Sequence, residues 1–551
     1  MKKNSLASFF GGEMVLKYSH VRAAAFLYMG LPFLIFSLTW LAFLPALISA
    51  TVTIFILVLV VKPDLLKKNP VPEGASLNPN ATEHIHVPTG VMLTVIVATG
   101  LWIWWSGIGG GFYQSGDFPY RNAVFRDLIQ YDWPVIYGGE KGMLAYYIGF
   151  WLPAAVCGKF VALFTDNAAV IWQMGNTALY LWALLGVLLV LFMLYFNVKA
   201  ESGKKVMIAT FVFLFFSGMD LVGWFGAGAD GFFARLVEEN IHIEWWAKKI
   251  SFPSGHLLQY SSFTTQLFWV FNQAVVTWLC TLTLFREQTP QNFVFIGMMS
   301  LFCGPIPFYG FFVLALTLGI LFIWRARKHV KFAAFSFISL SNVLAVIGIF
   351  PVCFAYFTGN SAATIKSGSK LLRFVPRLIF NVSGRADGGL SVKRLALFIA
   401  FLLLEFLLAA LLIWWHNRKE LPFWACIGML CLFPMVFTGA AADFCMRATI
   451  PALVIFCVYI LRFLFEKWNS PKRSADRLIC LVLAGFLILG AATPVVEMSR
   501  GIYKSVEAGR YLTYNDTFKS LGSDEKAANS IKNFTAQKYE DSKFYTYFAR
   551  R

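Results

Sequence analysis

Three groups of residues in this sequence could do chemistry. The first is Asp117, a carboxylate lying just beyond an apolar run and behind a glycine-rich turn (Gly107, Gly109, Gly110, Gly111). Tyr120, Arg121, Arg126 and Asp127 follow it. A carboxylate in that position can take a proton from a hydroxyl or amine that attacks a sugar carbon. The alternatives are a solvated loop residue or the N-cap of the following helix. The second group is Arg447 with Asp443, at the start of a late apolar run. A guanidinium there can grip a phosphate, snorkel to the interface, or pair with Asp443. The third is a basic stretch, 358–393, with Lys366, Lys370, Arg373, Arg377, Arg385 and Lys393. It suits a phosphate or anionic headgroups, or is simply a solvated loop.

Other polar residues carry weaker signals. The stretch 226–262 holds Asp230, Glu238, Glu239, His242, Glu244 and His256. Its Ser251-Phe252-Pro253-Ser254-Gly255-His256 has the ending of a phosphatase signature, without the partner Arg and second His motif which that chemistry needs. No HxxxH or HExxH spacing points to a metal. Glu405 is the clearest acid inside an apolar run. Gln266, Asn272 and Gln273 lie in another run and should face the interior of a bundle, because polar groups are costly in lipid. The nine cysteines form no CxxC pair and read as small apolar residues.

The elements that must position these groups are membrane helices. The chain is 58% hydrophobic and only 14% charged, with charge-free runs such as 23–61 that suit a bilayer core of about 30 Å. A soluble globular domain is excluded. The net charge of +18 reads as the bias of basic residues toward cytoplasmic loops, so no nucleic-acid partner is expected. Clusters around Lys2, Lys62, Lys199, Arg325, Arg418 and Lys467 placed on the cytoplasmic side fix the topology. The N-terminus is then cytoplasmic, the C-terminus extracytoplasmic, and the crossings number about 13. The same rule keeps 143–164 on the outer surface as an interfacial or re-entrant helix. The run 293–324 is too long for one span, and its Cys303-Gly304-Pro305-Ile306-Pro307 corner predicts a helical hairpin. The expected fold is an all-α polytopic membrane protein. Residues 1–497 form its transmembrane domain, with a first extracytoplasmic loop at 107–166. Residues 498–551 form a small, partly helical extracytoplasmic tail.

Several stretches together resemble the GT-C glycosyltransferases, a superfamily that includes protein O-mannosyltransferases and lipid A aminoarabinose transferases. Asp117 followed by Tyr120, Val124 and Leu128 is similar to the opening of that family's first outer loop. Tyr131-Asp132-Trp133-Pro134 is similar to its G-D-W-P stretch, and the segment from Leu144 to Lys159 to its interfacial helix. Leu301 to Pro307 and Asp443 to Pro451 resemble two later elements, in the family's order. Phe118 stands where the family usually has a second acid, and Cys303 where it has a lysine. The resemblance implies a GT-C-like bundle with interfacial helices in the first loop. It implies Asp117 as general base and Arg447 as the residue holding the donor phosphate. Tyr120, Arg121, Lys366, Arg373, Arg377 and His256 are the further candidates for substrate binding. The implied reaction moves a sugar from a polyprenyl-phosphate donor to a lipid, glycan or protein acceptor at the outer face of a bacterial inner membrane. No cofactor or metal is called for, and membrane lipids are expected partners. The rival reading is a transporter or flippase of lipid-linked saccharides, favoured by Glu405 and the broken hairpin. A third is a glycan polymerase or ligase of another membrane fold.

Overall fold

The computed structural model describes residues 12–62, 65, 70–79, 81–138, 141–226, 242–249, 258–361, 373–374, 392–437, 443–468, 474–508, 520–523 and 533–551. Within them the chain is a helical bundle. Eight helices or helical runs are long and apolar enough to cross a membrane: Tyr18–Trp40 (α1), Phe43–Val61 (α2), Ala168–Val198, Phe263–Arg286, Pro307–Arg325, Val330–Thr358, Leu395–Asn417 and Ala475–Glu507. Shorter apolar helices lie between them, among them Thr89–Trp105 (α3).

Local sequence sets where the helices begin. After α3 come α4 (Phe118–Gln130) and α5 (Leu152–Ala162), then α6 (Ala168–Val198). Asn167 caps α6 by accepting from the amides of Ala169 and Val170. Ser202 caps α7 (Gly203–Leu214) through Lys205, ahead of the short α8 (Asp220–Gly226). Ser262 caps α9 (Phe263–Arg286) through Thr265. The glycine–proline corner at 304–307 separates α10 (Phe293–Cys303) from α11 (Pro307–Arg325), which is the hairpin its residues predict. The apolar run 330–358 is three helices, α12 (Val330–Phe337), α13 (Leu340–Gly348) and α14 (Phe350–Thr358). Ser339 caps the second of these and Pro351 opens the third. Next come α15 (Val392–Leu402), a π-helical turn Leu403–Leu407, and α16 (Leu408–Asn417). The wider turn frees the Leu404 carbonyl, which accepts from the Met219 amide at 3.0 Å. The chain continues through α17 (Leu421–Leu432), α18 (Asp443–Ala448), α19 (Ile450–Lys467), α20 (Ser474–Gly490) and α21 (Ala492–Ala508).

Burial is distributed unevenly. In α9, 94% of the apolar window is buried, against 39% in α2. Its polar Gln266, Asn272 and Gln273 are all buried, as their cost in lipid predicts. Gln266 is paired with the Ser261 carbonyl and the Trp278 indole at 2.8 Å each. Beyond its last residue, Glu287 clasps Arg22 of α1 through two bonds of 2.6 and 2.9 Å.

Connections sort to the two ends of the bundle. At one end, a two-stranded ribbon pairs Glu13–Lys17 (β1) with His84–Pro88 (β2). Arg325 at this end donates to the carbonyls of Ser76 and Leu77. At the other end Ile136–Gly138 (β3) and Gly142–Leu144 (β4) form a hairpin, and Thr535–Ala536 (β7) adds to it as a third strand. Arg373–Phe374 (β5) pairs there with Val436–Phe437 (β6). The description all-α therefore holds for the bundle, while its ends carry short strand pairs. The described part of the tail is not a separate appendage. It joins the first loop as β7, and the Arg550 amide donates to the Trp40 carbonyl at 2.8 Å. α21 runs straight through the boundary suggested at 497. Breaking the Arg22–Glu287 clasp from one side leaves a largely covered charge unpaired. Glu287→Ala should therefore cost about 3–5 kcal/mol, while an Arg22→Met/Glu287→Leu double variant should recover most of it. Thermal unfolding in detergent measures both.

Candidate functional site

The loop between α3 and α6 leaves and rejoins the bundle at the same end. α5 is 11 residues long and packs along α6. Asp117 directly precedes α4. Its side chain caps no helix. It pairs instead with Arg121 one turn on, at 2.9 Å, and remains 52% exposed. Arg121 is buried against the rings of Phe118 and Phe271, and its Nη1 has no partner.

Arg447 comes from the other end of the sequence. It lies in α18, pairs with Asp443 at 3.1 Å and donates to the Tyr147 hydroxyl at 3.4 Å. Its Nε is buried without a partner. Burial works against its charge. The carboxylate of Asp443, the hydroxyls of Tyr147 and Tyr146, and then the Asp117 carboxylate outweigh that and hold it firmly protonated. Asp117 thus lies close enough to Arg447 to act on it, and Arg121 and Arg447 both act on Tyr146. The Tyr146 and Tyr147 hydroxyls bond to each other between them. The close approach of α11 to α18 requires Gly310, since a Cβ there would run into the Ala448 carbonyl.

The described tail forms one wall of this cluster. Tyr120, 43% exposed, stacks on Phe534 at 5.8 Å, and Phe534 meets Tyr146 at 4.5 Å. Gly142 makes this possible: its φ is +74°, and a side chain would collide with the Ala536 carbonyl of β7. Asp127, fully buried on α4, fastens the tail further along. It accepts from the Tyr137 hydroxyl at 2.8 Å and the Leu521 amide at 3.0 Å.

Of the other sequence candidates, Arg373 has its backbone opposite Phe437 in the β5–β6 pair. His256, Lys366 and Arg377 lie outside the described residues. Sequence reasoning missed Tyr147 and Phe534 as members of this end. Only the adjacent Tyr146–Tyr147 pair, inside the quoted Leu144–Lys159 stretch, offered a signal.

A second polar cluster surrounds Glu405. The Trp246 indole donates to Glu405 Oε1 at 2.9 Å, and the Asp220 carboxyl lies beside that residue, with Glu405 Oε2 and Asp220 Oδ1 both buried without partners among the described residues. Asp220 also accepts from Ser217 and Thr493 at 2.9 and 2.7 Å. Glu244 accepts from Gln259, Thr265 and the Ser262 amide. Burial, then the neighbouring charges of Asp220 and Glu497, push Glu244 up to about 8. Glu497 is held by His242 at 2.8 Å and by Arg500. Among the described residues no group of three or more His, Cys, Asp or Glu side chains is arranged to hold a metal. The nine cysteines are all free.

No family model, no curated protein and no solved structure matches the chain.

Burial pushes the Asp127 carboxyl up to about 6, against hydrogen bonds from Ser520, Tyr137 and Leu521 and the nearby Arg126 charge that pull it down. A pKa raised by folding means that docking is strongest below the unfolded value of about 4 and weakens as pH rises through about 6. Hydrogen exchange at Leu521 should accordingly be better protected at pH 5 than at pH 7.5, after correction for intrinsic rates. Asp127→Asn, which keeps the acceptor oxygen, should flatten that difference.

Proposed function

We propose that the cluster of Asp117, Arg121, Tyr147 and Arg447 is the active centre of a GT-C-type membrane glycosyltransferase. It takes a sugar from a polyprenyl-phosphate donor and passes it to a lipid, glycan or protein acceptor. The observation that carries this reading is the convergence of a half-exposed carboxylate with two arginines, Arg121 and Arg447, each keeping a buried N–H without a partner. Asp117 accepts the proton of the acceptor hydroxyl as that oxygen bonds to the anomeric carbon. The bond from that carbon to the phosphate oxygen breaks, and the phosphate leaves with the electron pair. The free N–H groups of Arg447 and Arg121 stabilise its growing charge. Arg121 also orients the Asp117 carboxylate. A single displacement of this kind inverts the anomeric centre.

The same reading counts α3, α7, α10, α17 and α19 as crossings beside the eight long runs, which brings the bundle to about 13. Lys62, Lys199, Lys204, Lys205, Arg325, Arg327, Lys328, Lys331, Arg418, Lys419 and Lys467 share the end away from Asp117. That supports a cytoplasmic N-terminus and an extracytoplasmic site and tail. A second reading rests on the buried Asp220–Glu405 pair, which would suit a proton-coupled carrier of lipid-linked saccharides.

Transfer from radiolabelled polyprenyl-phosphate sugars to membrane acceptors, at matched expression, tests the proposal. Asp117→Asn should lower transfer by about 100-fold or more, and Arg447→Lys by roughly 10- to 100-fold. Glu405→Gln should leave it largely intact. Transfer unchanged in Asp117→Asn would remove the residue as base. Loss of proton-driven saccharide uptake in Glu405→Gln, with no transfer by the wild type, would favour the carrier.

A further inference from the structure

A cavity of about 400 Å³ opens between the ends of α16 and α19 and the start of α20. It is at the end opposite Asp117: α19 starts just after Arg447 and, 18 residues long, ends at the cavity with Lys467, a rise of about 27 Å. Its wall is apolar along the helices, with Leu412, Phe463 and Ile479, and charged at the rim, with Arg418, Lys419 and Lys467.

The charges at the rim are not balanced. Its acids are Glu466 and Asp476. Glu466 is engaged by Lys467 at 2.8 Å and by His416 at 3.2 Å. Arg418 and Lys419 are exposed and take part in no ion pair among the described residues. The Arg418 guanidinium carbon lies 3.8 Å from the centre of the Trp415 ring, a cation–π contact that leaves its charge without a carboxylate partner.

The depth of this rim in a bilayer is marked independently. Trp414, Trp415, Trp424 and Trp468 are 40–45% exposed around it, and exposed tryptophans gather where hydrocarbon meets headgroups. Two unpaired cations at headgroup depth, beside an apolar wall, form a two-part site.

We infer that this cavity binds an anionic glycerophospholipid, its phosphate on Arg418 and Lys419 and an acyl chain along Leu412, Phe463 and Ile479. Basic pockets between membrane helices favour anionic headgroups, and each cation near the surface strengthens the attraction. The site shares no residue with the Asp117 cluster and does not depend on what that cluster does.

Native mass spectrometry of the full-length protein in detergent tests this, with phosphatidylglycerol and phosphatidylcholine of matched acyl chains as probes. The wild type should retain phosphatidylglycerol over phosphatidylcholine by about tenfold or more. The double variant Arg418→Gln/Lys419→Gln should lose the preference while melting at the wild-type temperature in lipid-free detergent. Inorganic phosphate at millimolar concentration should not displace the lipid. Equal retention of both lipids by the wild type, or an undiminished preference in the double variant, overturns the inference. Displacement by inorganic phosphate alone also overturns it, because the site would then recognise a free anion.

Discussion

The structure depends on one helix that lipid does not reach. α9 is walled by other helices along almost its whole length, and that enclosure lets it carry two glutamines, an asparagine and five threonines through the bundle. In a helix facing hydrocarbon these groups would have to find partners in a solvent that offers none. Part of this set is paired, since the Trp102 indole donates to Thr264 and the Trp278 indole to Gln266, whereas the side chains of Asn272, Thr277, Thr281 and Thr283 are buried without a hydrogen-bond partner among the described residues. The ends of α9 are tied as firmly as its middle. Glu287, just past its last residue, holds Arg22, and Ser262 at its start connects through Thr265 to Glu244. Both polar clusters are built on this post. Phe271 lies under Arg121, and Trp269 donates to Glu497.

A second constraint shapes the Asp117 end. Non-helical backbone near a membrane is tolerated where protein covers it or water reaches it. The long first loop meets that condition by making a hairpin and borrowing a strand from the tail. The Tyr356 hydroxyl and the Asn360 amide then take up the carbonyls of Tyr146 and Ala145. The tyrosines beside Arg447 are thereby fixed from both the front and the back of the chain. A fixed donor set costs little reorganisation when charge appears on a bound group.

How much of this was legible in the sequence follows from the range of each signal. Helix positions were readable because an apolar run of span length has few alternatives. The corner at Gly304–Pro307 was readable because proline stops a helix locally. The reading of α5 as a surface helix rests on counting basic clusters, a signal spread over the whole chain. The long run at 330–358 did not reveal its division into three helices, since Ser339 and Pro351 look harmless inside an apolar stretch. Pairing of β4 with β7 was invisible: two- and three-residue strands have no usable period, and their partners lie at opposite ends of the sequence. The cluster around Glu405 was seen as a single acid. Asp220, Glu244 and Glu497 lie in three other segments, and nothing local says that they meet. Asp117 and Arg447 were singled out separately, and their nearness could not be read from residue order.

The strand borrowed from the tail has a consequence for how the molecule comes into being. A ribosome delivers β4 early and β7 only after the last of the helices has been threaded into the bilayer. Throughout that interval the edge of β4 is bare, its amides and carbonyls open to any extended segment that drifts past. The arrival of β7 closes that edge and ends its exposure.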